Sequence, residues 1–453
     1  MSGNPNSSGM ESSAPWLPGR LRACLAFWLV IGASNLVLSW IDTGFLPEFS
    51  HFPRPYSLKN QDSCYEPPEQ FAFVDLSVRK LLGKGVIAPW GSVWGPPKAV
   101  SPLKVVPKKG KDLFRLILDL SRLNKHLVFP KFKYASIQQA KDVFNQGDLL
   151  FSWDLKDGYW HVALHPDFWT YCCFEWEGQL YYWAQMPFGL APACWVFTVL
   201  IGTVISYLRK QGLRCLAYID DGLAGGQPMS EAVRLAALVS DSFTQAGFIL
   251  NVAKSDFVPK AMQVFIGYRV DCSSTSGAGK IGWLAPSESR LDRLVAQALK
   301  VLKAKLVSPQ EILRLAGFIV SLRPVFDPMA LLFTKFLYIW AQSRAELKGW
   351  HWHWKLEDGE ARSEVQVWVD FAVAWSVKPL WQLSPPDLVQ AQDASDSAVG
   401  GWLGPYCGVS EVWLEKVKSG DPDQKARVAA ELPQNAPAWW GHAVWGCYLL
   451  DFC

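Results

Sequence analysis

The chain has 453 residues, of which 50% are hydrophobic, and a formal net charge of +3. This composition excludes a mostly disordered chain, and the length allows two to four domains with buried cores. Ten cysteines occur without a Cys-x-x-Cys pair. Neither a zinc finger nor a disulfide framework is therefore indicated, and we expect reduced thiols in an intracellular protein, cytoplasmic or nuclear.

The N-terminal region contains a long apolar stretch. Residues 1–15 are rich in Ser, Asn, Gly and Pro, which is typical of disorder. The eighteen residues Ala23–Trp40 carry no charge, a length that would suit a membrane span or signal anchor. Glycine and polar residues interrupt the stretch and no second span follows, so we expect helices packed on a core and no membrane. Residues 46–68 are predicted to be a linker.

The segment Lys104–Lys133 is strongly basic. It contains nine lysines and arginines and two aspartates, a net charge of +7, which favours a phosphate-bearing partner. Apolar runs at residues 100–106 and 114–120 predict two strands. The basic sequence Lys108-Lys109-Gly110-Lys111-Asp112 lies between them and is predicted to be their connecting turn.

Two further stretches combine apolar runs with polar ends. Phe151-Ser152-Trp153-Asp154 predicts a strand that ends in a carboxylate, and Asp157-Gly158-Tyr159 then turns the chain. Gln185-Met186-Pro187-Phe188-Gly189-Leu190-Ala191-Pro192-Ala193 opens a predicted helix over 192–208. His161 and His165 are four residues apart, with Asp167 nearby. Surface or packing roles are expected for them rather than metal binding.

The stretch Leu216–Ala224 contains two adjacent carboxylates, Asp220 and Asp221, followed by Gly222. The pattern predicts a hairpin whose tight turn holds both carboxylates outside the sheet. A plain surface turn is one interpretation. The other is a cation site, because adjacent like charges repel and Mg²⁺ prefers carboxylate oxygens together with substrate phosphates.

These three stretches, in this order, resemble motifs A, B and C of reverse transcriptases. Motif C is there a Tyr-x-Asp-Asp box, here Tyr218–Asp221. The sequence from about Pro18 to Trp402 resembles the reverse transcriptase–ribonuclease H polyprotein of DIRS/Ngaro-type retrotransposons. The resemblance implies an α+β right-hand polymerase with fingers, palm and helical thumb, followed by a partial ribonuclease H-like α/β domain.

The implied domains have the following boundaries: an N-terminal extension and linker (1–65), fingers and palm (66–280), a helical thumb (281–345), a connection (346–387) and a truncated ribonuclease H-like region (388–453). Within the thumb, Ser308-Pro309-Gln310-Glu311 has the pattern of a capping box with proline at the first helical position. It predicts a helix start.

The resemblance also assigns roles to individual residues. Asp154 and Asp220 would bridge two Mg²⁺ (or Mn²⁺) ions with Asp221 assisting, and Lys254 would protonate the leaving pyrophosphate. Further residues would bind the incoming dNTP: Lys108 and Arg115 on its triphosphate, Tyr159 as the gate against a ribose 2′-hydroxyl, and Phe188 and Gly189 under the nascent base pair. Ordinary packing is the alternative for Tyr159, and simple solvation the alternative for Lys254.

The C-terminal region resembles the opening of a ribonuclease H domain. Asp393 in Gln390-Ala391-Gln392-Asp393-Ala394-Ser395 would be its first metal ligand. Only 60 residues follow Asp393, which is less than a usual domain needs. Glu431 is the one plausible second acid, and it precedes Pro433, which would interrupt a helix. We therefore expect polymerase activity without RNA-strand degradation.

The expected activity is RNA-directed DNA polymerisation, with an RNA or DNA template-primer and dNTPs as partners. A catalytically decayed or co-opted nucleic-acid-binding protein derived from a retroelement is the alternative. The natural template and the oligomeric state stay open.

Overall fold

A computed structural model describes residues 18–91, 94–107, 114–273 and 282–381 in full, and the backbone of three strands between residues 388 and 418. The chain divides into two units, Met1–Trp381 and Gln382–Cys453. Lys108 lies outside the described residues, and for Asp393 only the strand that carries it is described.

The first unit contains fifteen helices within the described residues. They are α1 (Arg20–Ala23), α2 (Leu25–Val30), α3 (Asn35–Thr43), α4 (Pro68–Gly83), α5 (Ser121–Asn124), α6 (Ala140–Val143), α7 (Pro166–Trp169), α8 (Ala193–Lys210), α9 (Met229–Gln245), α10 (Glu288–Lys303), α11 (Pro309–Val320), α12 (Arg323–Phe326), α13 (Met329–Leu332), α14 (Lys335–Lys348) and α15 (Glu360–Phe371). Short 3-10 helices add Asp62–Cys64, Ile137–Gln139 and Gly158–His161.

Twenty strands are described in the two units. They are β1 (Glu48–Phe49), β2 (Tyr56–Ser57), β3 (Ile87–Pro89), β4 (Ala99–Val100), β5 (Leu103–Pro107), β6 (Phe114–Leu118), β7 (Leu127–Val128), β8 (Leu149–Asp154), β9 (Cys173–Trp176), β10 (Gln179–Trp183), β11 (Arg214–Tyr218), β12 (Asp221–Gly226), β13 (Asp256–Lys260), β14 (Met262–Phe265), β15 (Tyr268–Asp271), β16 (Trp283–Pro286), β17 (Lys378–Pro379), β18 (Leu388–Ser395), β19 (Ala398–Pro405) and β20 (Val417–Lys418).

The sheet that carries the candidate site has four strands in the order β11-β12-β8-β13, all antiparallel to their neighbours. We call it the palm sheet. Its strands are rich in apolar residues because α9 and α8 cover one face. Leu150 and Phe151 on β8 and Leu223 on β12 are fully buried. The predicted strands around both carboxylate stretches are thus confirmed.

Two other sheets include the strands β2 to β6, which precede β8 in sequence. The five-stranded one has the order β2-β4-β9-β10-β3, and β5 and β6 form a separate hairpin. Val106 on β5 pairs with Arg115 on β6. The hairpin confirms the two strands predicted on either side of the basic turn.

The apolar stretch at the N-terminus packs against α8 and α9. Trp28 is fully buried, and its indole N–H donates a 3.0 Å hydrogen bond to the Ala246 carbonyl at the end of α9. Trp40 contacts Trp195 on α8 edge to face, with ring centroids 5.1 Å apart. The expected packing of this stretch on the core is confirmed. Among the described residues, α8 is long and apolar enough to cross a membrane, but eight of its residues are buried in this core.

Four helices, α10, α11, α14 and α15, pack together after the palm sheet. The predicted capping box is present at the start of α11, where Ser308 accepts from the Glu311 N–H and Glu311 accepts from the Ser308 N–H. Glu364 on α15 is buried and accepts the N–H groups of Phe336 and Leu337 in the first turn of α14. This carboxylate at a helix N-terminus links α15 to α14.

We expect Trp28→Ala to destabilise the chain by about 3–5 kcal/mol, because it opens a large cavity and removes the bond to Ala246. Chemical denaturation followed by tryptophan fluorescence and circular dichroism measures this loss. The neighbouring Leu29, 59% exposed, provides the control, and Leu29→Ala is expected to change stability by no more than about 0.5 kcal/mol. Equal losses in the two variants would contradict docking of this segment.

Candidate active site

Asp154 and Asp221 are direct cross-strand neighbours. Asp154 is the last residue of β8, Asp221 is the first of β12, and the register pairs their Cα atoms. Asp220 precedes Asp221 in the turn, and its carbonyl accepts the Leu155 N–H at 3.0 Å. The structure therefore brings together the three carboxylate residues singled out in the sequence, although 66 positions separate Asp154 from Asp220.

The turn differs from the predicted one. Tyr218 pairs with Asp221 across the hairpin, so the two-residue turn is Ile219-Asp220, and Asp221 and Gly222 belong to the strand. Ile219 has φ +57°, a left-handed conformation that is strained for a β-branched residue. Only Asp220 is thus held in the turn, whereas the expectation placed both carboxylates outside the sheet.

Gly222 has a packing role that its position in the sequence did not indicate. It pairs with Trp153 on β8, and a Cβ added at residue 222 would overlap the indole ring of Trp153. Trp153 is itself buried and contacts Phe243 of α9. The absence of a side chain at Gly222 therefore leaves room for the Trp153 indole directly beside the two carboxylate residues.

Asp154 is held by three residues of the loop that follows α9. Asn251 Nδ2 donates to Asp154 Oδ1 at 2.7 Å, and Lys254 Nζ lies 3.0 Å from Oδ2. The Asp154 N–H donates to Ser255 Oγ at 3.0 Å, and its carbonyl accepts the Asn251 N–H at 2.8 Å. Lys254 was predicted from sequence, but Asn251 and Ser255 were not. The available indication was that Asn251 lies three residues before Lys254 and four before Ser255, so that all three belong to one loop.

The site carries more negative charge than its surroundings stabilise. Burial, together with the charges of Asp220 and Asp154, raises the pKa of Asp221 to about 7. Burial and the Asp154 charge also raise the pKa of Asp220. The hydrogen bond to Asp154 raises the pKa of Lys254, which keeps its ammonium protonated. A divalent cation would remove the repulsion between these carboxylates, so the donor set fits a hard metal ion.

A small cavity of about 160 Å³ opens at this point. Its lining includes Asp154, Asp221 and Lys254, and the hairpin end Val264–Ile266 lies on the opposite side. In the part of the chain that the structure describes, no three His, Cys, Asp or Glu side chains already converge as a complete metal cage.

Tyr159 lies five residues after Asp154 in the chain. It belongs to the 3-10 helix Gly158–His161 that follows β8, and its side chain is mostly buried. Its hydroxyl is 2.9 Å from Cys194 Sγ, and its ring contacts Phe188 and Phe197 with centroids 5.1 and 5.4 Å away. Burial raises the pKa of the phenol, so the hydroxyl stays protonated.

Arg115 and Phe188 line a second cavity, of about 310 Å³, whose other lining residues come mainly from α4 and β6. Arg115 is exposed on β6, and Phe188 is 42% exposed. Gly189, the next residue, has φ +102°, and a Cβ there would lie 2.8 Å from the Leu118 carbonyl oxygen. The structure thus brings the predicted triphosphate contact and the predicted base-pair loop to one cavity.

His161 connects the 3-10 helix to the segment before the Lys254 loop. Its Nδ1 is 3.0 Å from the Gly158 carbonyl, and its Nε2 accepts the Ile249 N–H at 3.2 Å. This pattern requires the neutral ring with the proton on Nδ1. Burial lowers the pKa of His161 to about 4. The expected packing role is confirmed, whereas His165 accepts the Asp167 N–H on the surface.

Comparisons with known proteins give matches that agree with one another. Residues 101–270 match the family model of reverse transcriptase (RNA-dependent DNA polymerase). Over 209 residues the chain is 28% identical to the retrovirus-related Pol polyprotein from transposon gypsy of Drosophila melanogaster, a match that covers 45% of this chain and 19% of that protein. It is 24% identical over 225 residues to the enzymatic polyprotein of Cauliflower mosaic virus (strain Strasbourg), covering 50% and 32%. The matches thus span about a fifth to a third of these relatives' length.

Solved structures agree with the fold. The foamy viral protease-reverse transcriptase in complex with an RNA/DNA hybrid superposes with a TM-score of 0.60 at 15% identity, covering 93% of this chain and 54% of that one. Its dRH form in complex with double-stranded DNA gives 0.59 at 16%, covering 92% and 70%. The predicted right-hand polymerase fold is confirmed.

His161 makes stability depend on pH. The unfolded chain binds a proton at His161 near the ordinary pKa of about 6.5, and the folded chain does so only near 4. The free energy of unfolding is therefore expected to fall as pH drops from 6.5 to 4, by about 3 kcal/mol in total. His161→Gln should flatten this part of the profile in denaturation experiments. His351→Gln, which changes an exposed ring, should leave it intact, and a profile unchanged by His161→Gln would contradict the assignment.

Proposed function

We propose that this chain is the RNA-directed DNA polymerase of a retrotransposon, which extends a primer on an RNA or DNA template. The register pair of Asp154 and Asp221, with Asp220 beside them in the turn, is the observation that carries the proposal. A buried carboxylate on Asp154 beside a half-buried one on Asp221, whose pKa is raised, costs the folded chain stability. Phosphoryl transfer through metal ions gives this arrangement a chemical purpose.

The proposed partners are a template-primer duplex and dNTPs. The solved relatives named above bind double-stranded DNA or an RNA/DNA hybrid. In this chain, the +7 charge between Lys104 and Lys133 supplies attraction for phosphates. Arg115 would fork onto the triphosphate of the nucleotide, with Lys108 adding a point charge.

Two divalent ions, Mg²⁺ or Mn²⁺, would be held by Asp154, Asp220 and Asp221. When bound they lower the pKa of the primer 3′-hydroxyl and stabilise the charge on the leaving pyrophosphate. The protein residues orient the carboxylates and shape the pocket for the nucleotide. Asn251 fixes the rotamer of Asp154, and Tyr159 with Phe188 shapes the sugar and base pocket. Lys254, kept protonated by its hydrogen bond to Asp154, would donate a proton to pyrophosphate.

We further propose that the element is of the DIRS/Ngaro type and that the strands β18 and β19 do not supply a complete ribonuclease H site. The support for the element type is the sequence resemblance from about Pro18 to Trp402. β18, which carries Asp393, pairs with β19 in an antiparallel hairpin, as a ribonuclease H opening would. The single acid within β18 and β19, Asp393, does not supply the several ligands that two-metal hydrolysis requires.

Asp221→Asn should reduce primer extension by roughly 10²- to 10³-fold, because it removes a carboxylate that would hold the metal ions on which transition-state stabilisation depends. Binding of a fluorescent template-primer should be retained, since phosphate contacts elsewhere supply it. Asp220→Asn and Asp154→Asn should behave alike, and Asp142→Asn on an exposed helix is the matched control. A wild-type chain that binds template-primer without extending it would instead support the co-opted binding protein.

Tyr159→Ala should allow ribonucleotides to be incorporated. Removal of the ring leaves space beside Phe188 where a 2′-hydroxyl fits, whereas Tyr159→Phe keeps the ring and loses only the Cys194 contact. The measurement is the ratio of kcat/KM for a dNTP to that for the matching rNTP. We expect the ratio to fall in the alanine variant and to be kept in the phenylalanine variant. Equal ratios in wild type and Tyr159→Ala would leave Tyr159 a packing residue.

A further inference from the structure

Asn124, in the short helix α5 after the β5–β6 hairpin, is bonded to the loop that contains Phe188 and Gly189. Its Nδ2 donates to the Gly189 carbonyl at 2.8 Å, and its Oδ1 accepts the Ala191 N–H at 2.9 Å. One side-chain amide therefore satisfies both a backbone acceptor and a backbone donor of this loop, two residues apart. A half-buried amide with both groups used in this way is a specific restraint and not a general surface contact.

The same loop is held from a second side. Gly189 lies so close to β6 that a Cβ would be 2.8 Å from the Leu118 carbonyl oxygen, and its φ of +102° is a conformation that favours glycine. Asn124 is itself fixed, because its N–H donates to the Leu120 carbonyl at 2.8 Å and the adjacent Leu123 is fully buried. The loop thus rests on one continuous segment, Phe114–Asn124.

The position of this loop determines where Phe188 lies. Phe188 directly precedes Gly189, and its ring contacts Tyr159 and Trp160 with centroids 5.1 and 6.1 Å away. The segment Phe114–Asn124 also carries Arg115 on β6. Asn124 therefore joins the strand with the proposed triphosphate contact to the aromatic pair at the proposed sugar pocket.

We propose that Asn124 is a positioning residue for nucleotide selection, which acts by holding the Phe188–Ala191 loop so that Phe188 stays packed against Tyr159. This inference rests on the proposed polymerase function and assigns it a further residue. Without Asn124 the Gly189 carbonyl and the Ala191 N–H lose their partner, and the loop gains alternative conformations. Phe188 and Arg115 then no longer meet the incoming nucleotide as one preorganised surface.

Two variants and one control test the proposal. Asn124→Ala removes both bonds. Asn124→Asp keeps an acceptor for Ala191 but places a carboxylate oxygen against the Gly189 carbonyl, so it should perturb the loop at least as strongly. Asn60 offers a matched control, because it also receives a backbone N–H, from Leu103 at 2.8 Å, and donates to a backbone carbonyl, of Glu175 at 2.8 Å. Asn60→Ala therefore removes an equivalent pair of bonds outside the loop.

The first measurement is single-nucleotide extension with a dNTP and its matching rNTP. We expect both Asn124 variants to raise KM for the dNTP and to lower the dNTP-to-rNTP ratio of kcat/KM about tenfold. Asn60→Ala should leave this ratio unchanged. A merely structural role of Asn124 would lower kcat for both nucleotides alike and leave the ratio at its wild-type value, which would overturn the proposal.

The second measurement is hydrogen exchange, which does not depend on activity. The Ala191 amide should exchange at least about tenfold faster in Asn124→Ala than in wild type, because its acceptor is gone. The same amide should be unaffected in Asn60→Ala. Unchanged exchange at Ala191 would overturn the proposal even if activity fell. A wild-type chain that shows no extension would overturn the proposed function, and the exchange result would still decide whether Asn124 positions the loop.

Discussion

The structure of the site depends on the register of β8 and β12, which sets two carboxylates directly opposite each other at the ends of the two central strands of the palm sheet. Like charges at this separation repel, and the apolar surroundings give little solvation. Lys254 and Asn251 stabilise Asp154, but Asp221 has no comparable partner among the described residues and its pKa rises to about 7. This arrangement is unfavourable for the folded chain alone, yet it suits a divalent cation. It is the strongest physical reason to regard these two strand ends as the candidate catalytic site.

The sequence predicted these carboxylates because each follows an apolar run whose period is that of a strand. It did not predict their pairing in detail. Asp-Gly is a favoured turn sequence, so the turn was placed one residue too late. The observed turn contains Ile219 at positive φ, and Gly222 is required inside the strand by the indole of Trp153. Both facts depend on a contact between strands about 70 residues apart, and local propensity carries no information on such a contact.

The apolar stretch Ala23–Trp40 shows the same limit at the level of whole segments. Length and hydropathy are equal for a helix in lipid and one buried in protein, so composition alone left both interpretations open. Specific contacts show that this stretch packs on protein. The Trp28 indole N–H donates to the Ala246 carbonyl, and a Cβ at Gly247 would clash with the backbone of Arg20, just before the stretch. A polar indole N–H with a backbone acceptor is a feature of protein packing, and a membrane span would leave it without one.

Side-chain amides link segments that no sheet or helix connects. Asn251 supplies the donor that orients Asp154, Asn124 spans the Gly189–Ala191 loop, and Asn60 joins β5 to β9. An asparagine can replace a peptide group in this way because it offers one acceptor and a donor on a short, stiff side chain. Asparagine is also common in plain turns, so its type does not reveal which positions have this role. The partners identify them, and two of these three asparagines hold the carboxylate of Asp154 and the loop of the proposed nucleotide contacts.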